Sequence, residues 1–414
     1  MRFTLLLTLL CPLPASAQQW TQLVHPTIER CEDIHFLGPD TGWAAGGGSG
    51  RILRTYNGGD FWSVVLESDR YLRSIEFLDA DHGFCGSLDG ALYRTHDGGE
   101  TWTDIMDELP QAVPGICGLA RAGPQTVYGT GVFFGPAYVV KSTDAGATWQ
   151  HIDLSDRAWC LIDVLFFDEQ TGLACGGAYP DTTGASIFRT TDGGATWTEV
   201  FNTGSGHEWF WKLQSPDGVH LFASLEGTWG SAPRVARSSD AGLTWTMDPI
   251  APLPARLQGV GFINAQEGWA GDEALFHSVD GGDTWTQTIG IPGFNRFQRV
   301  NDEMAFAGGF GIFRYAAEGT GLMDPRMKDP LESASVFPNP TSGPARAEVL
   351  VHARSWARIE LRTTTGVLVQ QWHNAPIAAG THTFDVDLSG RPAGTYLFTL
   401  YTNLGMTTVP VVKR

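Results

Sequence analysis

The stretch Thr95-His96-Asp97-Gly98-Gly99-Glu100-Thr101-Trp102 is the cleanest copy of a motif that occurs six times in this 414-residue chain. Its pattern is Ser/Thr-x-Asp-x-Gly-x-Thr-Trp, and only the first copy departs from it, with Asn57 replacing Asp and Phe61 replacing Thr. The motif tryptophans are 40, 47, 48, 48 and 40 residues apart, and this period predicts one β-propeller blade per copy. The repeated positions are Asn57, Asp97, Asp144, Asp192, Asp240 and Asp280, with Trp62, Trp102, Trp149, Trp197, Trp245 and Trp285.

Each copy of the motif has the chemistry of a tight turn. An Asp side chain accepts hydrogen bonds from backbone N–H groups, Gly supplies a positive φ, and Trp can fill the space between neighbouring sheets. Strand-like segments come before the motif, such as Ile75-Glu76-Phe77, Gly83-Phe84-Cys85-Gly86 and Ile52-Leu53-Arg54. We therefore predict four short strands per unit, with the motif joining the third strand to the fourth.

A seventh unit lacks the motif. Residues 304–309 and 312–315 match the second and third strands of the other units, but no tryptophan follows them. Near the N-terminus, Trp20-Thr21-Gln22 repeats the start of the strand at Trp285-Thr286-Gln287. We expect residues 20–24 to supply the missing fourth strand, because closing the ring removes two exposed sheet edges. The count predicts seven blades.

Composition narrows the function classes. Glycine and proline together occupy 74 positions (51 Gly and 23 Pro), which excludes a long-helix or coiled-coil protein. Apolar residues make up 42% of the chain, enough to support a large core. Forty-five acidic residues against 27 basic ones give a net charge of −18, which argues against nucleic acid or an anionic membrane as the main partner.

The N-terminus has the pattern of an export signal. Arg2, an apolar run over residues 5–10 and the small residues Ala15-Ser16-Ala17 predict a signal peptide over residues 1–17. No other segment approaches the roughly 18 continuous apolar residues of a membrane helix, so we predict no transmembrane segment. Five cysteines remain after cleavage, and an odd number favours small buried strand residues over a disulfide framework. They are Cys31, Cys85, Cys117, Cys160 and Cys175.

The composition changes after Tyr315. Residues 316–334 are polar and interrupted by Gly and Pro, which is typical of a linker. Residues 335–414 alternate in hydrophobicity like a small Ig-like β-sandwich.

The motif resembles the Asp-box (BNR) repeat of sialidases, sortilin-type receptors and related propellers. The longer pattern from Leu72-Arg73-Ser74-Ile75-Glu76-Phe77 through Gly83-Phe84 to Leu92-Tyr93-Arg94-Thr95 resembles the photosystem II stability/assembly factor family. The resemblance covers about residues 20–315 and implies an all-β fold: a seven-bladed Asp-box β-propeller over residues 18–315, followed by the sandwich. It implies no photosynthetic function, and in these families the boxes lie on the face away from known active sites.

The C-terminal 80 residues resemble the type A sorting domain of cargo of the type IX secretion system. The resemblance rests on the order of a Phe-Pro-Asn-Pro opening, a strand–Gly–strand middle, an Ala-Gly-Thr-Tyr segment and a basic end. It implies passage across an outer membrane by the type IX machinery, then removal of the domain and attachment to surface glycolipid, or release. The alternative is a generic Ig-like binding module. The matching residues are Pro338, Asn339, Pro340, Gly343, Gly394, Tyr396 and Lys413.

The sequence does not single out a catalytic centre. The early Arg-Ile-Pro signature of sialidases is absent, and a basic residue ahead of each motif is a repeat feature rather than an asymmetric site. Glycosidases need two opposed carboxylates, but no spacing chooses among the available ones. We predict no catalytic residue, no cofactor and no metal site. The basic residues are Arg54, Arg94, Lys141, Arg189, Arg237, His277 and Arg314; the carboxylates are Asp33, Glu76, Asp163, Glu208 and Glu226.

The extra length of blades three to five predicts a ligand site. Much of the surplus falls in residues 131–137, 179–185 and 226–232, between the second and third strands and therefore opposite the motifs. Aromatic faces stack on sugar rings or apolar side chains, and arginines can hold carboxylates. The alternative is that these aromatic residues only pack between blades. The candidates are Phe133, Phe134, Trp159, Tyr179, Trp209, Trp211 and Trp229, with Arg30, Arg73 and Arg256.

These features predict a secreted or cell-surface protein that binds a glycan or protein ligand through a non-catalytic propeller. A sialidase-like glycoside hydrolase and an assembly or scaffolding factor are the alternatives.

Overall fold

The computed structural model describes residues 20–26, 28–177, 184–204, 206–227, 232–252, 255–316, 333–351, 355–364, 367–402 and 405–414. The predicted signal peptide, most of the predicted linker and the candidate residues Tyr179 and Trp229 lie outside these ranges.

Antiparallel strands make up nearly all of the regular structure. β1 is Trp20–Leu23. Blade 1 has β2 (Cys31–Phe36), β3 (Gly42–Gly46), β4 (Arg51–Thr55) and β5 (Ser63–Glu67). Blade 2 has β6 (Leu72–Phe77), β7 (Gly83–Ser87), β8 (Leu92–Thr95) and β9 (Thr103–Asp104), then a 3-10 turn at Met106–Glu108. Blade 3 has β10 (Gly118–Arg121), β11 (Val127–Thr130), β12 (Tyr138–Ser142) and β13 (Gln150–Asp153). Blade 4 has β14 (Cys160–Phe166), β15 (Gly172–Gly177), β16 (Ser186–Thr190) and β17 (Thr198–Asn202).

The remaining blades follow the same order. Blade 5 has β18 (Trp209–Gln214), β19 (Leu221–Glu226), β20 (Arg234–Ser238) and β21 (Thr246–Pro249). Blade 6 has β22 (Leu257–Phe262), β23 (Gly268–Asp272), β24 (Leu275–Ser278) and β25 (Thr286–Thr288). Blade 7 has β26 (Phe294–Asn301), β27 (Met304–Gly309) and β28 (Ile312–Ala316).

The N-terminal strand completes blade 7. The sheet order is β1-β28-β27-β26, and β1 pairs with β28 so that Trp20 faces Tyr315 and Leu23 faces Ile312. This is the pairing expected from the Trp20-Thr21-Gln22 repeat. The described residues thus form seven four-stranded blades, with blades 4 and 5 also joined through Gly177 and Trp209. The predicted all-β propeller fold is confirmed.

The motif folds as a hydrogen-bonded turn. In blade 2, Asp97 Oδ1 accepts a hydrogen bond from the Thr101 backbone N–H at 2.9 Å, and its Oδ2 accepts one from the Thr101 hydroxyl at 2.6 Å. Gly98 and Gly99 have φ values of 70° and 84°, a region that favours glycine. The Thr95 hydroxyl donates to Asp97 at 2.8 Å and accepts from the Gly99 N–H at 2.9 Å.

Aromatic rings join neighbouring blades beside these turns. Phe77, which ends the innermost strand of blade 2, stacks on Trp43 of blade 1 with ring centroids 3.6 Å apart. The motif tryptophan Trp102 then meets Phe77 edge-on at 5.9 Å. The same ring stack between adjacent blades recurs in the pairs Phe36–Phe306, Tyr128–Phe166 and Phe222–Phe262.

The basic residue ahead of each motif reaches the motif of the next blade. Arg54 of blade 1 donates to the Gly98 carbonyl of blade 2 at 2.9 Å. Five other basic residues each donate to a backbone carbonyl of the motif turn in the following blade. His277 is the exception: it pairs with Glu267 of its own blade at 3.1 Å, because blade 7 has no motif turn to receive it. We call the six that reach across the clasp residues: Arg54, Arg94, Lys141, Arg189, Arg237 and Arg314.

The five cysteines are free and buried in the described part of the chain, as the sequence favoured. Burial raises the pKa of their thiols, to about 12 for Cys160.

The C-terminal strands form two facing sheets. They are β29 (Ser333–Phe337), β30 (Pro344–Val351), β31 (Ser355–Thr363), β32 (Leu368–Ile377), β33 (Gly380–Asp387), β34 (Gly394–Thr402) and β35 (Gly405–Lys413). One sheet has the order β29-β30-β33 and the other β32-β31-β34-β35. Val349, Ile359, Val386 and Phe398 belong to one buried core shared by both sheets, as in a small β-sandwich.

Replacing Trp20 tests the ring closure. Trp20 is nearly buried and lies 5.2 Å from Trp269 of blade 6 and 4.6 Å from Phe294 of blade 7, measured between ring centroids. We expect Trp20→Ala to lower the free energy of unfolding by about 3–5 kcal/mol in urea titrations, because a large buried ring is lost. The control Thr21→Ala, at an exposed position on the same strand, should change it by less than about 0.5 kcal/mol. Equal stability of the two variants would contradict the closure.

The motif carboxylates predict an acid-sensitive propeller. Hydrogen bonds from the motif hydroxyls and N–H groups lower the pKa of Asp144, Asp192, Asp240 and Asp280 to about 2. Because the folded-state pKa lies below the unfolded value, this stabilisation is complete above pH 4 and is lost as the pH falls through 2. Urea unfolding between pH 2 and pH 6 should show a smaller loss on acidification in Asp240→Asn than in the wild type. Identical pH profiles would disprove the contribution of the motif.

Candidate ligand-binding site

The channel mouth is the end of the propeller opposite the motifs. In blade 1, Cys31 at the start of β2 pairs with Gly46, and Gly46 pairs with Arg51 across the β3–β4 hairpin. The motif follows Thr55, at the other end of the same strands. The starts of the innermost strands and the hairpins between second and third strands therefore surround one opening.

A β-bulge recurs where the innermost strands reach this mouth. The pairing register shifts by one residue at the same place in six blades, and a bulge of this kind changes the direction of a side chain. In blade 3 the equivalent residue, Cys117, donates its N–H to both the Thr130 and Gly131 carbonyls. The extra residues are Glu32, Arg73, Ile162, Trp211, Gln258 and Asn295.

A cavity of about 310 Å³ lies at the mouth. Four of the bulge residues line it, and so do six of the ten residues predicted from sequence. The volume is at the lower end of the range for small-molecule pockets. The predicted residues in the lining are Arg30, Arg73, Arg256, Phe133, Trp209 and Trp211; the others are Glu32, Tyr71, Leu88, Glu226 and Gln258.

One side of the cavity is aromatic. Phe133 is 39% exposed, and its ring centroid lies 5.8 Å from that of Trp211. The guanidinium carbon of Arg73 sits 5.4 Å from the centre of the Trp211 ring, in a cation–π contact. Behind Trp211, Cys117 and Ile162 form an apolar backing in the same cluster.

The opposite side is centred on the buried carboxylate of Glu32. It accepts hydrogen bonds from the Tyr71 hydroxyl at 2.6 Å, from the Asn295 amide at 2.8 Å and from the Arg73 guanidinium. Burial opposes the charge of Arg73, but the Glu32 carboxylate outweighs it and raises the pKa of the guanidinium. Burial and Glu32 together raise the pKa of Tyr71 to about 12.

A second group of paired charges continues along this side. Arg30 donates to Gln258 at 2.7 Å and to Asp272 at 2.6 Å. Gln258 in turn donates to Glu226 at 3.1 Å, and Arg256 donates to Glu226 at 3.2 Å and lies 3.8 Å from Asp272. Burial raises the pKa of Asp272, and the two arginines oppose that shift. Arg30, Arg73 and Arg256, which we predicted could hold a ligand carboxylate, are thus already paired with carboxylates of the chain.

Further down the channel, two aspartates hold neighbouring blades together. Asp33 accepts the Ile75 N–H of the next blade at 3.0 Å, and its other oxygen lies 2.6 Å from Arg296. Asp163 accepts the Leu213 N–H of the next blade at 2.9 Å. Its other oxygen lies 3.8 Å from Lys212, and burial lowers the pKa of that lysine.

The carboxylates considered for glycosidase chemistry do not converge on the cavity. Only Glu226 lines it, while Asp33 and Asp163 connect blades. Glu76 lies 3.5 Å from His35, and Glu208 pairs with Arg234.

Two further aromatic candidates lie beside the cavity without lining it. Phe134 is about half exposed, and its ring is 5.2 Å from that of Phe133. Trp159 is partly exposed and packs within 3.0 Å of the space that a Cβ would occupy at Gly135. The prediction from sequence missed Glu32 and Gln258. An alignment of the innermost strands at the bulge position would have identified both.

The described residues contain no group of three or more His, Cys, Asp or Glu side chains placed to hold a metal ion. Within the same ranges, no helix has the length and apolar character needed to cross a membrane.

In the C-terminal sandwich, several residues of the predicted sorting signal meet along β35. Asn339 donates its amide to the Pro410 carbonyl at 2.6 Å and accepts the Val412 N–H at 2.9 Å. Lys413 donates to the Ser342 carbonyl at 3.1 Å and pairs with Gly394 of β34. Segments that are more than 70 residues apart in the chain therefore form one edge.

Comparison with known proteins identifies related propellers. The family model described as "Photosynthesis system II assembly factor YCF48" matches residues 13–122. A photosystem II assembly protein Ycf48 from Synechococcus sp. (strain JA-2-3B'a(2-13)) is 27% identical over 292 residues, covering 65% of this chain and 78% of that protein. A xyloglucanase from Paenibacillus sp. is 29% identical over 211 residues, covering 40% of this chain but only 20% of the enzyme.

Solved structures share the fold at low identity. YCF48 from Cyanidioschyzon merolae has a TM-score of 0.58 at 17% identity, over 73% of this chain and all of that one. YCF48 bound to D1 peptide has a TM-score of 0.56 at 19% identity, over 73% and 98%. PorZ, an essential bacterial surface component of the type-IX secretion system of Porphyromonas gingivalis, has a TM-score of 0.54 at 13% identity, over 93% and 59%. The chain contains a BNR-type β-propeller similar to those of the Ycf48 proteins.

Proposed function

We propose that this protein binds a glycan or protein ligand in the cavity at the channel mouth and has no catalytic activity of its own. The observation that carries the proposal is the composition of that cavity, where exposed aromatic rings face a row of internally paired polar groups. Concave sites with apolar walls and a few fixed polar groups are where proteins bind small ligands and protruding chains.

The hydrogen bonds to the carboxylates that line the cavity favour binding over hydrolysis. A glycosidase needs one carboxylic acid and one carboxylate that act on the same bond. Glu32 and Glu226 line the cavity, but the oxygens of both already accept hydrogen bonds from neighbouring side chains. A sialidase-like hydrolase remains the second candidate, because of the similarity to a xyloglucanase and the place of Glu226 in the lining.

The third candidate is an assembly or scaffolding factor. It is supported by the similarity to Ycf48, one of whose structures holds a D1 peptide, and to PorZ of a secretion system. In such a role the mouth would receive a segment of another protein rather than a sugar.

We further propose that the protein is exported by the type IX machinery to the outer-membrane surface or the medium. In this proposal residues 1–17 are the signal peptide, residues 316–334 are the linker and residues 335–414 are the sorting domain. Support comes from the edge that unites Asn339, Gly394 and Lys413, and from the likeness to PorZ across 93% of this chain.

A glycan array, a fluorogenic glycosidase panel and a pull-down from the native envelope should be run on the mature protein. We expect binding without hydrolysis. In the double variant Phe133→Ala/Phe134→Ala the affinity should fall at least tenfold, or about 1.4 kcal/mol, because two exposed rings leave the mouth. The control Phe61→Ala removes an exposed ring from the opposite face and should keep wild-type affinity. Full affinity in the double variant, or hydrolysis that Glu226→Gln abolishes, would refute a binding role at this mouth.

Export is tested by removing residues 335–414. The truncated propeller should fold and accumulate in the periplasm of the native host, as measured by cell fractionation and surface protease accessibility. Asn339→Ala should reduce surface delivery in the full chain, because two hydrogen bonds between the opening motif and β35 are lost. Normal surface delivery of the truncated protein would rule out the sorting role.

A further inference from the structure

We infer that the mouth cavity selects an uncharged oligosaccharide over acidic sugars and over peptides that present a carboxylate. This inference rests on the proposed binding function and specifies its ligand class.

The first step is the pairing of the two outer arginines. Arg30 and Arg256 flank Asp272, at 2.6 Å and 3.8 Å, and Arg256 also donates to Glu226 at 3.2 Å. A ligand carboxylate could pair with either guanidinium only by competing with the carboxylate of the chain that already pairs with it. Bidentate arginine–carboxylate pairing, the usual basis for selecting acidic ligands, needs a guanidinium that is free to form it.

The third arginine is even less available. Arg73 is buried, pairs with Glu32 and lies over the Trp211 ring. The three arginines are thus matched by four carboxylates, Glu32, Glu226, Asp272 and Glu273, which leaves one surplus negative charge in the group. No cation in the described lining lacks a carboxylate partner.

The electrostatic field of the whole protein also disfavours anionic ligands. A net charge of −18 repels anionic ligands at long range, and the mouth holds no local excess of positive charge to offset it. A neutral ligand experiences neither effect.

The groups that remain suit a carbohydrate. Phe133 and Phe134 are 39% and 48% exposed, and the C–H side of a pyranose can pack on aromatic rings of this kind. The row Arg30–Gln258–Glu226–Arg256 alternates donors and acceptors, each with hydrogen-bonding capacity left over. Sugar hydroxyls donate and accept at once, so they can join such a row without disturbing its charge balance.

The experiment compares three probe classes on the full mature chain by isothermal titration. Cellohexaose, mannohexaose and xyloglucan oligosaccharides are the neutral probes, sialyllactose and oligogalacturonate the acidic ones, and peptides with a free C-terminal carboxylate the third class. We expect at least one neutral probe to bind at least tenfold more tightly than any acidic one. Its affinity should change less than twofold between 50 mM and 500 mM NaCl, because no ligand charge is screened.

The variant Glu226→Gln makes the test specific. It removes the carboxylate to which Arg256 donates and leaves that guanidinium only its longer contacts with Asp272 and Glu273, at 3.8 Å and 3.6 Å, so oligogalacturonate binding should rise at least tenfold. The matched control Asp283→Asn removes a carboxylate partner of Arg237, a clasp residue on the opposite face, and should leave oligogalacturonate binding as in the wild type. Thermal unfolding of both variants checks that they are folded.

The outcomes separate the two proposals. Preference of the wild type for acidic sugars, or binding of the peptides alone, would overturn the neutral-glycan inference and leave the binding function intact. Failure of every probe, together with an empty pull-down from the native envelope, would overturn the binding function itself.

Discussion

The propeller depends on a cation that six of its seven blades extend to the motif turn of the next blade. The clasp residues donate to a backbone carbonyl just after the motif Asp or Asn, beside the ring stacks that join the same blades. Arg314 makes this contact from blade 7 to Gly58 of blade 1, so the contact also crosses the point where the ring closes. Where the next blade has no turn, a histidine replaces the cation and turns back to its own blade. The repeated residues therefore make contacts between neighbouring blades rather than only within single blades.

The opposite end of the channel is built by the bulges. In six blades a bulge adds one residue at the same level of the innermost strand, and in blade 3 Cys117 takes that place, so a ring of non-identical side chains surrounds the mouth. Glu32, Arg73, Gln258 and Asn295 make one arc polar, while Cys117, Ile162 and Trp211 make the other apolar. A uniform scaffold at the motif end thus supports an asymmetric, two-sided surface at the other end.

The sequence predicted the parts of this structure that repeat. The motif period gave the blades, and the Trp20-Thr21-Gln22 match gave the strand that completes the last of them. It also named three aromatic residues that line the cavity, Phe133 in the longer hairpin of blade 3 and Trp209 and Trp211 at the start of the innermost strand of blade 5. It could not reveal the charge pairing, because Arg30 and Asp272 are 242 residues apart and meet only when blades 1 and 6 close around the channel. The roles of Tyr179 and Trp229 stay predictions.

The pairing of β1 with β28 has a consequence for the timing of assembly. Trp20 and Tyr315 are partners, 295 residues apart in the chain. Non-local strand pairing of this kind is slow, because the entropy of closing a long loop must be overcome before the contact is rewarded. Until β28 exists, β1 has no partner and the nascent propeller stays an open arc with two bare sheet edges. The chain can thus complete its fold only after nearly the whole propeller has been synthesised.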